Sequence, residues 1–111
     1  MKRLVLIGVL AAVALVFAVP TFAQGKAAEG EKVYAREKCS MCHAIAGKGN
    51  AKNPLDGVGS KLKAEEIREW ITTPKVAAEK AKSTAKPPMI AKKLSKEDVD
   101  NLVAYMESLK K

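Results

Sequence analysis

The sequence predicts a single all-α domain whose interior is completed by something other than its own side chains. Three observations lead there. Apolar residues recur at helical spacing in two stretches, and no stretch alternates apolar with polar residues as a half-buried strand would. Large apolar side chains are also scarce once the N-terminal segment is set aside. A length of 111 residues allows one small domain and excludes a two-domain enzyme.

The N-terminal segment is of export type. Met1-Lys2-Arg3 is a basic start, residues 4–19 form a 16-residue apolar run, and Thr21 and Ala23 are small residues flanking Phe22. This pattern predicts a signal peptide over residues 1–23, cleaved after Ala23, and a periplasmic protein. A retained membrane anchor is the alternative, because residues 4–25 carry no charge over 22 positions. The short apolar run and its terminal Pro20 favour cleavage. Residues 24–111 then form the domain. Loss of Lys2 and Arg3 takes the net charge from +8 to +6 over the remaining 88 residues. Of those, 20 are Val, Ile, Leu, Met, Trp or Tyr, a thin core that calls for a disulfide, a metal or a cofactor.

Element by element, residues 24–28 read as a loose lead-in and 29–38 as a helix. Gly47, Gly49, Asn50, Asn53 and Pro54 make residues 47–54 a loop, continued as turns through Gly59. Residues 64–72 read as a helix, with Ile67, Trp70 and Ile71 at i, i+3 and i+4. Glu65, Glu66 and Glu69 suit its N-terminal dipole, and Pro74 ends it. Residues 76–82 suit a short exposed helix, which Pro87-Pro88 cannot continue. Ser95, three residues before Asp98, offers capping-box spacing for a last helix. Its stripe, Val99, Leu102, Val103, Met106 and Leu109, is the clearest helical period in the chain.

Cys39-Ser40-Met41-Cys42-His43 is the specific chemical signal. Two thiols three positions apart, followed at once by His, are the requirement for covalent haem attachment. On one helical turn both sulfurs reach the vinyl groups of one porphyrin, and the adjacent imidazole projects at the iron. The macrocycle would supply the missing core. A thioredoxin-type pair needs a βαβ context, zinc needs more ligands, and a lone Cys39–Cys42 disulfide leaves His43 and the thin core unexplained.

A sixth iron ligand must come from the opposite haem face, and the sequence holds one His. Met, Lys or an open site remain. Met41 lies between the cysteines, Met106 belongs to the last helix's apolar stripe, and Met1 is remote. Met89, after Pro87-Pro88, is the candidate, with a gap-filling loop residue as its plainer role. Lys86, Lys92 and Lys93 compete only at high pH, where lysine is neutral.

From Gly30 to Lys110 the chain resembles the small monohaem class I c-type cytochromes of bacteria. Gly30 and Tyr34 match the Gly and aromatic of that family's first helix, although Tyr34 stands five residues before Cys39 where four is more usual. Leu102 and Tyr105 match the pair on the last helix that crosses it. Gly has a physical reason at such a crossing, where backbones approach closely. The resemblance implies a fold of three main helices plus loops wrapped around one covalent haem c, with an axial Met in the loop of Met89. It also implies a Pro54 carbonyl that accepts the His43 N–H, and a Trp70 indole that meets a haem propionate. Their plainer roles are a turn Pro and packing beside Ile67 and Ile71.

The expected function is one-electron transfer between redox proteins by a His43/Met89-ligated haem iron, in a monomeric non-enzyme with no nucleophile–base pair. Two alternatives stand beside it: a ligand-binding or peroxidase-like haem protein with an open sixth position, and a dedicated electron-transfer subunit of a dehydrogenase or oxidase. Lysines 48, 52, 61, 63, 75, 80, 82, 86, 92 and 93 fall in segments expected around the haem edge. Clustered there, they would steer acidic partners; scattered, they are ordinary solvated surface. Nucleic acid is not an expected partner, because export removes the usual target and no aromatics are interleaved with the lysines.

Overall fold

The computed structural model describes residues 21–111, and among them five α-helices carry the fold. They are α1 (Thr21–Arg36), α2 (Val58–Lys61), α3 (Ala64–Thr72), α4 (Pro74–Ala81) and α5 (Lys96–Ser108). Residues 1–20 of the expected signal segment lie outside the described residues. The expected lead-in over residues 24–28 is helical instead, as part of α1. Lys26, Ala27, Ala28 and Glu29 are good helix formers, and the stretch holds no Pro to add to the helix-propensity cost of Gly25. The helix ends at Arg36, two residues before the expected end, because Lys38 adopts the left-handed conformation at φ 55°.

The helices predicted over residues 64–72 and after Ser95 have the expected starts, whereas the short helix expected over residues 76–82 runs from Pro74 to Ala81. Ser95 caps α5, its hydroxyl accepting from the Asp98 N–H at 3.1 Å. The Asp98 carboxylate does not complete the box; it takes the Arg36 guanidinium at 2.7 Å and so ties α1 to α5. In α3 the Glu66 carboxylate accepts from the Lys63 N–H at 3.1 Å. Pro74 ends α3 and opens α4 as its first residue, where a missing N–H costs nothing. Val58 and Gly59, expected as turn, open one short helix, Val58–Lys61. Gly59 lets it lie on the end of α5: its N–H donates to the Leu109 carbonyl at 2.9 Å, and a Cβ there would collide with the Glu107 carbonyl.

The one departure from an all-α fold among the described residues is small. Ala44–Ile45 (β1) and Lys48–Gly49 (β2) form a two-residue antiparallel ribbon, and Pro54 bridges Ala44 in parallel. No alternation announces strands this short.

Packing centres on the α1–α5 crossing, with α3 laid against α5. Gly30 makes the crossing possible, since a Cβ there would run into the Asn101 carbonyl and stand 2.7 Å from the Tyr105 Cβ. One turn on, the Tyr34 and Tyr105 rings meet edge to face with centroids 5.9 Å apart. Burial pushes the Tyr34 hydroxyl pKa up to about 12, with the nearby Cys39, Tyr105 and Asp56 adding in the same direction. The core is Val33, Ile67, Ile71, Val99, Leu102, Val103 and Met106. Arg68 pairs with Asp100 at 2.7 Å, joining α3 to α5 and holding that carboxyl below its ordinary range.

This core is small, and no large side chain among the described residues is completely shielded. Tyr34, Ile45, Leu55, Leu62 and Leu94 are only partly covered, while Ile90 stands 72% exposed. Burying side chains of this size is worth roughly 1.5–3 kcal/mol each, so apolar groups left half-wet mark stabilisation that a bound apolar body would complete.

Candidate haem-attachment site

The end of α1 presents the motif. After the left-handed Lys38, residues Cys39–Met41 make one 3₁₀ turn, and the Cys42 and His43 N–H groups both donate to the Cys39 carbonyl, at 3.1 and 2.9 Å. A single tight turn therefore holds two free thiols and the imidazole. Cys39 is half-buried and Cys42 exposed. Burial raises the Cys39 thiol above its ordinary pKa, and the Lys92 ammonium opposes that rise. Lys92, three residues beyond Met89, therefore brings its charge to bear on the cysteine turn.

His43 is oriented by a main-chain acceptor. Its Nδ1 lies 3.0 Å from the Asn53 carbonyl, which commits that nitrogen as the donor and leaves Nε2 free to bind a metal. The acceptor is Asn53 rather than the expected Pro54, and the parallel bridge explains why. In such a bridge the residues flanking the bridging one make the bonds: the Ala44 N–H faces the Asn53 carbonyl at 3.4 Å, and the Leu55 N–H donates to the Ala44 carbonyl at 2.8 Å. Carbonyls alternate sides along an extended chain, so the Pro54 carbonyl points away from His43. Proline suits the position because its missing N–H would have faced outward.

The other expected residues fall as follows. Met89 lies in the exposed segment between α4 and α5, itself 37% exposed. Met106 is core, and Met41 projects from the turn at 71% exposure. Trp70 is half-buried on α3, where with Leu62, Glu66, Ala77 and the Glu69–Lys80 ion pair it lines a hollow of about 360 Å³. Gly30, Tyr34 and Tyr105 come together at the crossing, and Leu102 lies in the core beside it. Sequence reasoning passed over Asn50, Asn53 and Asn101. Asn50 and Asn53 read as loop composition, and Asn101, buried beneath Gly30, lies on the polar side of the apolar period.

The donor set fits haem c: two free thiols at the attachment spacing, a His with one nitrogen committed to a carbonyl, and a thioether on a separate exposed segment. A helical fold with so small a core and this turn at the end of its first helix defines a carrier of a covalently held redox group. A family model described as cytochrome c matches residues 27–110, and the chain belongs to that family, whose cofactor is covalently attached haem c. Comparison with curated proteins and with solved structures gave no match.

Proposed function

We propose that this chain is an exported, monomeric monohaem cytochrome that shuttles single electrons between larger redox proteins in the periplasm. Cys39 and Cys42 would hold the haem through thioethers, and His43 Nε2 and the Met89 sulfur would bind its iron. The observation that carries the reading is the Nδ1 bond of His43 to the Asn53 carbonyl, which presents Nε2 from the same turn as the two thiols. When bound, the haem supplies the one-electron chemistry by alternating between its ferrous and ferric forms. With both iron ligands supplied by the chain, ligation would not need to rearrange between oxidation states. A thioether opposite His also favours the reduced form.

Carbon monoxide added to the reduced, haem-loaded protein tests the ligation. The visible spectrum is expected to stay unchanged in the wild type and to convert fully to a carbonyl form in Met89→Ala. Rapid conversion of the wild type would put the ligand-binding or peroxidase-like reading ahead. An unchanged Met89→Ala spectrum would assign the sixth position to Met106 or a lysine.

The charge pattern supports an acidic partner. Between Glu79 and Glu97 every charged residue is a lysine: Lys80, Lys82, Lys86, Lys92, Lys93 and Lys96. This all-basic segment also holds Met89, so with Met89 on the iron its lysines would lie near the haem and favour an acidic partner. Electron transfer with an acidic partner is expected to slow steeply as salt rises, because the screening length falls from about 30 Å at 0.01 M to about 8 Å at 0.15 M. A rate that is flat with ionic strength would show the lysines to be ordinary solvated surface. A partner that co-purifies at fixed stoichiometry would make the chain a dedicated subunit rather than a free shuttle.

A further inference from the structure

Every main-chain carbonyl of the attachment motif has a donor, and most of the donors come from one short loop. The Cys39 carbonyl is satisfied within the turn. The Asn50 N–H is shared between the Ser40 and His43 carbonyls, at 3.0 Å from each, and the Asn50 side-chain amide donates to the Met41 carbonyl at 3.1 Å. The Lys52 N–H donates to the Asn50 side-chain oxygen at 3.0 Å, which fixes that amide's orientation. Gly49, at φ 110°, allows this approach, because a Cβ there would collide with the His43 carbonyl. Asn53 completes the clasp. Its side-chain amide donates to the Cys42 carbonyl at 3.3 Å, while its own carbonyl takes the His43 Nδ1–H.

Asn53 thus grips two consecutive residues of the motif, one thiol-bearing and one imidazole-bearing, from its two ends. We infer that the Asn53 side chain, supported by that of Asn50, is a positioning group that sets the orientation of the His43 ring relative to the attachment turn and thereby tunes the reduction potential. This rests on the haem-ligation reading above. A firm Nδ1–H···O=C bond makes the imidazole a stronger donor and favours the ferric form. Releasing the side-chain anchor lets the turn and the loop drift apart, lengthens that bond and favours the ferrous form.

The test uses haem-loaded wild type, Asn53→Ala, Asn53→Leu (which keeps the branched shape without the amide) and Asn50→Ala. Redox titration is expected to show the reduced-to-oxidised ratio at a given potential rising about three- to tenfold in the Asn53 variants and less in Asn50→Ala; tenfold corresponds to about 59 mV for one electron. The hyperfine-shifted haem methyl resonances of the oxidised protein, which report the axial ring's orientation, are expected to reorder with it. Covalent haem should be retained throughout. Lower thermal stability in the Asn53 variants with potential and methyl pattern unchanged would make the clasp merely structural and overturn the inference. If Asn53→Ala does not fold, Asn53→Leu and Asn50→Ala decide it by the same two measurements. A wild type without covalent haem would defeat the ligation reading itself, and the inference with it.

Discussion

Replacing Cys39 and Cys42 together by Ala is expected to abolish haem that survives denaturing electrophoresis and to leave a largely unfolded chain. The first effect follows from the chemistry: thioethers need thiolate sulfur, and the described residues hold no other cysteines. The second follows from the packing. Seven side chains form the core cluster, and Tyr34, Ile45, Leu55, Leu62 and Leu94 are left only partly covered. Ordering each backbone residue costs about 1–2 kcal/mol, and net stabilities of small domains are only about 5–15 kcal/mol. A chain deprived of its bound apolar group therefore has little to offset that cost, and helical circular dichroism should fall with the loss of haem. The single replacement Cys42→Ala, at the exposed position, should keep one thioether and a cooperative thermal transition. A double variant that still stains for haem on a denaturing gel would refute the attachment claim. One that loses haem yet melts like the wild type would refute the packing claim alone.

The two halves of that prediction were not equally legible in the sequence. Cys39-Ser40-Met41-Cys42-His43 is local and strongly constrained by its chemistry, so spacing alone was enough to read it. The α3 and α5 helices were legible for a similar reason: Ile67 and Ile71, and the stripe from Val99 to Leu109, write their buried faces at helical period, and Pro74 and Ser95 mark their ends. The start of α1 was missed because residues 25–28 include no fully buried side chain, so no period records them. The acceptor for His43 was missed because it depends on the sense of one bridge between Ala44 and Pro54, and a register of one residue moves the bond from one carbonyl to its neighbour. The Asn50 and Asn53 amides reach back about ten residues to main-chain atoms, and contacts of that kind leave no compositional trace.

Gly30→Val should destabilise the protein by about 3 kcal/mol or more, while Gly25→Ala on the same helix should be neutral or slightly stabilising. The contrast isolates close approach from helix propensity. At Gly25 no heavy atom lies within 4 Å of where a Cβ would stand, so Ala there brings only its better helix propensity, worth up to about 1 kcal/mol. At Gly30 the new Cβ would overlap the Asn101 carbonyl and press on the Tyr105 Cβ, and these are backbone and helix-fixed atoms that cannot swing aside. Overpacking a built interior costs about 1–3 kcal/mol, occasionally more. Here α1 and α5 must separate, which also parts the Tyr34–Tyr105 ring pair and the Arg36–Asp98 bond. With about 4–8 °C of melting temperature per kcal/mol for a domain of this size, the midpoint should fall by about 12–24 °C or more. Carbon monoxide should then find the reduced iron more accessible, because α1 leads directly into the Cys39 turn and a displaced helix would carry the haem-bearing turn away from the Met89 segment. A Gly30→Val protein that melts within a few degrees of wild type would mean that the two helices do not meet at this residue, and the crossing would have to be redrawn.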